Sequence, residues 1–192
     1  MDESPTSELD AVNTMLASIG SSPVNTLDGA LAPDVLTARN TLRRISKAVQ
    51  GESWEFNTEA CYPLQRDADN FIPLPANTIV VRVTYPVTVD AVQRGLRLYD
   101  KKNHTYVFDQ DVKATIVFAL PFEELPEQAR QYIFVRASRE FQQGQVSSEI
   151  LTRFEQIDEA RARADMIRAE GGGNLLDRRG SYRPSHVVRS DK

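Results

Sequence analysis

The chain has 192 residues, of which 41% are hydrophobic and 26% are charged, and its formal net charge is −4 at pH 7. This length suits one domain, or a core with one inserted subdomain, and the apolar content is sufficient for a real core. The acidic balance argues against a dedicated nucleic-acid-binding protein, because such proteins usually show a basic excess or a basic stripe.

The cysteine content and the N-terminal residues bear on the cellular compartment. The single cysteine, Cys61, allows no internal disulfide, and we expect a buried structural thiol. The first ten residues, MDESPTSELD, lack the basic and apolar regions of a signal peptide. No run approaches the roughly 20 apolar residues of a membrane helix. These features predict a soluble protein made in the cytoplasm.

Two amphipathic helices are predicted in residues 1–53. Ser7 is a suitable N-cap for the first helix, which ends at Gly20, and Pro33 opens the second, which ends at Gly51. The inward-facing residues of the first helix are Leu9, Val12, Leu16 and Ile19. Those of the second are Val35, Ala38, Leu42, Ile45 and Val49, and its outer face carries Arg39, Arg43, Arg44 and Lys47.

Residues 54–121 have the pattern of a β-rich region. Alternation of large apolar and polar residues from Trp54 predicts a strand, and residues 113–120 form the most apolar strand. Residues 95–100 and 105–109 flank the polar tetrapeptide KKNH, which predicts a hairpin with a four-residue loop. We expect four to six strands, mainly antiparallel, because no helical pattern separates them.

Two further helices are predicted in residues 122–170. The third begins near Pro126 and ends at Gly144, with Ala129, Ile133, Ala137 and Phe141 on one face. Ser147 or Ser148 caps the fourth, and the GGG at 171–173 ends it. Its predicted inward residues are Leu151, Phe154, Ile157, Ala160, Ala164 and Ile167.

The last segment, residues 171–192, differs in charge from the rest. It carries five lysines and arginines against two aspartates, a net of +3, which leaves residues 1–170 with 18 basic and 25 acidic residues, a net of −7. We interpret it as a flexible arm that follows a glycine hinge. The predicted fold class is α+β: a bundle of N- and C-terminal helices with an inserted, mainly antiparallel β-rich domain at 54–121.

No residue pattern indicates a catalytic or metal site. Cys61, His104 and His186 are too few and too widely spaced for a convincing zinc site. The best pair for acid–base chemistry is Glu123 and Glu124, which would suit a glycan hydrolase. An acidic approach to a helix N-terminus explains these two carboxylates better, because the helix dipole favours negative charge there. We therefore expect no catalytic residues, no cofactor and no metal.

Four segments together resemble the tail tubular protein A family of short-tailed bacteriophages. They are ELDAVNTMLASIGSSPVNTL, GESWEFNTE, LYD and FEELPEQARQYIFVRASREFQ, in that order along the chain. The resemblance runs from about Glu8 to Leu176 and implies a helical bundle with a β-rich domain. This agrees with the layout predicted from the residues.

The resemblance also implies a function: a structural virion protein at the head-to-tail junction, called an adaptor or gatekeeper. Such proteins form a dodecameric ring beneath the portal protein, and the tail nozzle, tail tubular protein B, binds below. Tail fibres can attach near that junction, and DNA passes through the central channel during ejection. The alternatives are a glycan-degrading, tail-associated hydrolase and a DNA-contacting scaffold.

Two sets of contact residues are predicted for such an adaptor. The arm would bind an acidic groove of the portal through Leu175, Leu176, Arg178, Arg179, Tyr182, Arg183 and Arg189. The helices would contribute subunit contacts through Arg39, Arg43, Arg130, Arg136, Arg139 and Glu140. If the third and fourth helices line the channel, their acidic surface would repel DNA phosphate and let DNA slide.

Overall fold

The computed structural model describes residues 5–145 and 149–170, and this part of the chain contains four α-helices and five β-strands. The helices are α1 (Glu8–Ser18), α2 (Pro33–Gln50), α3 (Glu127–Gln145) and α4 (Glu149–Ala169). The strands are β1 (Thr58–Leu64), β2 (Thr78–Tyr85), β3 (Ala91–Arg94), β4 (Arg97–Asp100) and β5 (Val112–Phe118). The predicted α+β class is confirmed, and every strand pairing in these residues is antiparallel.

Helices α1 and α2 form where the sequence predicts them. The Ser7 side chain accepts a hydrogen bond from the Asp10 backbone N–H, and the Asp10 carboxylate accepts one from the Ser7 N–H, which makes a capping box. Pro33 occupies the first turn of α2. All five predicted inward residues of α2 are buried, and they pack with α1, α3 and α4 in one apolar core.

The β-region has its own apolar core beneath a three-stranded sheet of order β1-β5-β2. Strand β5 lies in the centre, so most of its side chains are buried on both faces. Strands β3 and β4 form a separate hairpin. The second core consists of Leu64, Ile72, Leu74, Leu98, Phe108, Val112, Ala114, Ile116 and Phe118.

The strand predicted from Trp54 begins four residues later than expected. Residues Glu55–Asn57 form a 3₁₀ turn, and β1 starts at Thr58. Trp54 packs in the helical core, and its indole Nε1–H donates a hydrogen bond to the Val49 carbonyl at 2.8 Å. A buried indole needs such an acceptor, and the end of α2 supplies one.

The predicted hairpin around KKNH is wrong in its pairing. Strand β4 pairs with β3 across a tight turn at Gly95, whose φ of 62° suits glycine. Residues 105–109 make a single bridge, between Thr105 and Asp100. The Asp100 carboxylate accepts hydrogen bonds from the backbone N–H groups of Lys102 and Asn103, which closes the KKNH loop locally.

Helices α3 and α4 pack against each other, but α4 presents a different face from the predicted one. Met166 is buried, whereas Ile157, Ala160 and Ala164 are exposed. Ile167 is partly buried against the helical core. Charged residues occupy part of the packed face of α4, and a pattern that counts only apolar side chains misplaces it.

Helix α3 continues through Gly144, where an end was predicted.

Several other expectations fall on residues beyond those that the structure describes. Ser147 and Ser148, the side chains of Leu151 and Phe154, and the arm at 171–192 lie outside the described residues. The division of the chain into four segments stays a prediction.

Candidate assembly surfaces

The helical part and the sheet meet at a buried polar contact, which we call the helix–sheet junction. The Asn57 amide nitrogen donates hydrogen bonds to the carbonyls of Gln50 and Phe118, each at 2.9 Å. The Asn57 amide oxygen accepts a hydrogen bond from the backbone N–H of Trp54. The Gln50 side chain donates to the Leu120 carbonyl and accepts the Leu120 N–H at 2.7 Å. Saturated buried hydrogen bonds of this kind hold two packed units in one orientation.

The end of α4 is attached to the same junction. The Glu170 carboxylate accepts a hydrogen bond from the Glu55 N–H at 2.7 Å. Partial burial raises the pKa of the Glu170 carboxyl above its ordinary value, and the hydrogen bonds from the backbone of Glu55 and Phe56 oppose that shift. The position from which the arm departs is therefore close to the helix–sheet junction.

An ionic network connects the end of α2 with α3 and α4. Glu159 of α4 accepts from Arg139 at 2.5 Å and lies 3.8 Å from Arg136. Glu52 pairs with Arg163 at 2.9 Å and with Arg136 at 3.6 Å. The hydrogen bond to Glu52 is the main reason why the pKa of Arg163 is raised. These partly buried pairs fix α4 on the bundle.

A second set of ion pairs connects α1 with α2. Glu8 lies 2.8 Å from Arg43 and 3.4 Å from Arg39, and the hydrogen bond from Arg43 raises the pKa of that guanidinium. Arg44 pairs with Glu140 of α3 at 2.6 Å.

Arg130 makes contacts of a different kind, because it donates to three backbone carbonyls. Its acceptors are the carbonyls of Thr6, Glu123 and Leu125. Each of the six residues predicted to make subunit contacts therefore has a partner within its own chain. Their role between subunits stays a prediction. The acidic partners Glu8, Glu52 and Glu159 were not singled out from the sequence, because their spacing along the chain carries no sign of the pairing.

Two of the clefts on the described helical part are lined by residues from different elements and bear on assembly. One, of about 330 Å³, runs between α2 and the connection from β5 to α3, and it is lined by Glu8, Lys47 and Glu123 among others. The other, of about 460 Å³, is the α3–α4 groove, which has Val135 and Ala162 among its lining residues.

The candidate acid–base pair is not brought together across a cleft. Glu123 lines the 330 Å³ cleft, whereas Glu124 is not among its lining residues, and both side chains are exposed. Both lie in the 3₁₀ turn Phe122–Glu124, two residues before α3. This arrangement matches the acidic approach to a helix N-terminus.

The predicted thiol and imidazoles also occupy separate positions. Cys61 is exposed, so the expectation of a buried thiol is wrong. It lies at a register shift in the edge strand β1, with φ of 58°, and such a bulge re-aims side chains. His104 is exposed in the KKNH loop, and His186 lies outside the described residues. Among the residues that the structure describes, no group of histidine, cysteine and acidic side chains could hold a metal ion.

The end of the sheet farthest from the helices carries exposed apolar side chains. Tyr85 ends β2, and Val87 follows it with 92% of its surface exposed. Val107 lies on the adjoining loop, which contacts the loop after β2 through the Lys101–Asp90 ion pair. We call Tyr85, Val87 and Val107 the distal apolar patch. Exposed apolar side chains at one end of a sheet are candidates for an interaction surface.

The comparison with protein families matches residues 9–173 to the family model for tail tubular proteins. The match covers both the helical part and the β-region. The chain belongs to the tail tubular protein family. It is therefore a structural component of a phage tail. No helix in the described part of the chain is long and apolar enough to cross a membrane.

A curated member of the family provides a second comparison. Tail tubular protein A of Klebsiella phage KP34 is 32% identical to this chain over 130 residues. The match covers 66% of this chain and 66% of the relative, just under two thirds of its length.

Proposed function

We propose that this protein is a ring-forming head-to-tail adaptor that links the portal protein to the tail nozzle and forms part of the DNA ejection channel. Family membership supports a tail assembly role. The observation that carries the adaptor role is the helix–sheet junction, which holds two chemically different ends of one subunit in a fixed orientation. An adaptor needs this rigidity, because its two partners lie on opposite sides of the ring.

The ring itself, which we propose to be a dodecamer, needs unlike patches on the two sides of each subunit, since rotation brings them together. The helical part supplies rigid faces for such contacts. Arg43 is the most exposed of the predicted contact residues, with 57% of its side-chain surface accessible, and its neighbour Arg44 is 62% accessible. A guanidinium has five N–H donors, so an arginine already held by a carboxylate of its own chain can still bind a neighbour.

The distal apolar patch would meet the tail nozzle, tail tubular protein B, and tail fibres would attach near that contact. The arm at 171–192 would dock onto an acidic groove of the portal.

DNA would pass through the ring without binding tightly, because residues 1–170 have a net charge of −7. Subunits made in the host cytoplasm would thus end at the head-to-tail junction of the virion.

The test compares the full chain with residues 1–170, each mixed with purified portal rings and sized by light scattering. We expect the full chain to be monomeric alone and to form a ring on the portal. The truncated chain should keep its helical circular dichroism but fail to bind. A chain that lacks residues 1–4 is the matched control and should bind normally. Portal binding by the truncated chain would contradict the proposed role of the arm.

A further inference from the structure

The α3–α4 groove has an apolar floor and an acidic rim. Val135 and Ala162 lie among its lining residues, and the charged residues around them are three carboxylates and one guanidinium, a net of −2: Glu127, Asp158, Asp165 and Arg161. At about 460 Å³ the groove is large enough to take several side chains of a peptide. Residues from both helices form it, so its shape depends on their packing.

The rim carboxylates are accessible to a new cationic partner. Asp158 pairs with Arg161 at 3.5 Å, and Asp165 pairs with Arg168, each three residues along the exposed surface of α4. Exposed pairs of this kind contribute little free energy, so their carboxylates exchange partners readily.

Glu127 carries the third negative charge of the rim. Partial burial acts to raise the pKa of its carboxyl, but hydrogen bonds from Gln131 and Thr6 outweigh that effect and lower the pKa below its ordinary value. The Glu127 carboxylate adds to the attraction of the groove for a basic segment.

The arm has the complementary chemistry. Its first side chains after the glycines include Leu175 and Leu176, followed by Arg178 and Arg179, and its net charge is +3. Asp177 separates the apolar pair from the basic pair, and the two pairs match an apolar floor beside an acidic rim. The rest of the chain is acidic, with a net of −7, so the arm is attracted to its own subunit.

The arm also starts in the right place. Helix α4 ends at Ala169, and Asp165 lies about one turn before that end. Asp158 is about 18 Å from residue 170 along the helix axis, at 1.5 Å per residue. Residues 171–179 span up to about 30 Å when extended. The two arginines can therefore reach Asp158 and Asp165 of their own chain.

We propose that, in the free subunit, residues 171–192 fold back onto the α3–α4 groove of the same chain. The leucine pair would cover the floor, and Arg178 and Arg179 would bind the rim carboxylates. The docking is a property of the isolated subunit. Its consequence, that the portal must displace the arm from the groove before it binds, rests on the proposed adaptor role.

The test measures cross-linking within the full chain. In a Cys61→Ser background, which removes the native thiol, Gln128→Cys places a thiol at the groove and Ser181→Cys places one on the arm. The comparison variant pairs Ser181→Cys with Asn40→Cys on the exposed face of α2. We expect a bis-maleimide to link the groove pair within one chain about tenfold faster than the comparison pair, because docking raises the effective concentration.

Charge variants show whether the rim holds the arm. Asp158→Asn with Asp165→Asn should reduce the groove cross-linking rate to that of the comparison pair. The matched control, Asp69→Asn with Asp109→Asn in the β-region, makes the same change in net charge and should leave the rate unchanged. If the groove variants fold poorly, salt replaces them as the test. Raising NaCl from about 0.05 to about 0.5 M, with Asp158 and Asp165 left in place, should reduce the groove cross-linking rate to that of the comparison pair.

Two results would overturn the proposal. Equal rates for the groove and comparison pairs would show that the arm does not dock in the groove. Cross-linked dimers whose yield rises with protein concentration would show that the arm of a second copy occupies it. The assay contains no portal, so either result leaves the proposed portal contact to its own test.

Discussion

At the scale of single residues, two side-chain amides determine how the helical part meets the sheet. Asn57 joins the end of α2 to the end of β5, and Gln50 joins α2 to Leu120. Both amides are buried, and a buried amide is costly unless it is hydrogen-bonded. The residues around Asn57 and Gln50 show no pattern that distinguishes these two amides from solvent-exposed ones, so the sequence does not predict their burial.

We predict that Asn57→Ala lowers the free energy of unfolding by about 3 kcal/mol, because it leaves two carbonyls and the Trp54 N–H without their partner. Urea denaturation followed by tryptophan fluorescence measures the change. The matched control is Asn40→Ala on the exposed face of α2, which should change the stability by less than about 0.5 kcal/mol. A similar small effect at both positions would show that the junction does not depend on Asn57.

At the scale of elements, α4 packs through a mixed stripe. Glu159, Ala162, Arg163 and Met166 share one face at helical spacing, and the two charged members are neutralised by Arg139 and Glu52. Of the predicted face, Ile157, Ala160 and Ala164 are exposed, and Ile167 is partly buried at its border with the packed face. A stripe of purely apolar residues on a helix therefore does not have to be the packed one, because paired charges can be accommodated inside.

We predict that Met166→Ala costs about 2–4 kcal/mol, because it removes a fully buried side chain from the helical core. Ile157→Ala should cost less than about 0.5 kcal/mol in the isolated subunit, since 49% of that side chain is already exposed. Thermal unfolding of the two variants gives the comparison. A larger loss for Ile157→Ala would restore the face predicted from the apolar pattern.

At the scale of the whole molecule, charge separates the arm from the rest of the chain. The net of −7 on residues 1–170 and +3 on residues 171–192 suits a protein that passes DNA without holding it and binds an acidic surface through one segment. The same distribution allows the arm to fold onto its own subunit.

We predict that the isolated full chain does not shift double-stranded DNA in electrophoretic mobility assays, at either about 50 or about 200 mM salt. Its side chains would make few favourable contacts with the DNA phosphates. Residues 1–170 form the control, because they lack the basic arm. Tight binding by the full chain that falls steeply with salt would instead favour the DNA-contacting scaffold.

The sequence by itself determined the α+β class, the position of α1 and α2, the face of α3 and the contrasting charge of residues 171–192. These features depend on local spacing and composition, which act within a few residues along the chain. The tertiary structure alone decided the β3–β4 pairing, the packed face of α4, the exposure of Cys61 and the partners of each predicted contact arginine. Those outcomes depend on groups far apart in sequence, whose hydrogen bonds and ion pairs form only when the chain is folded.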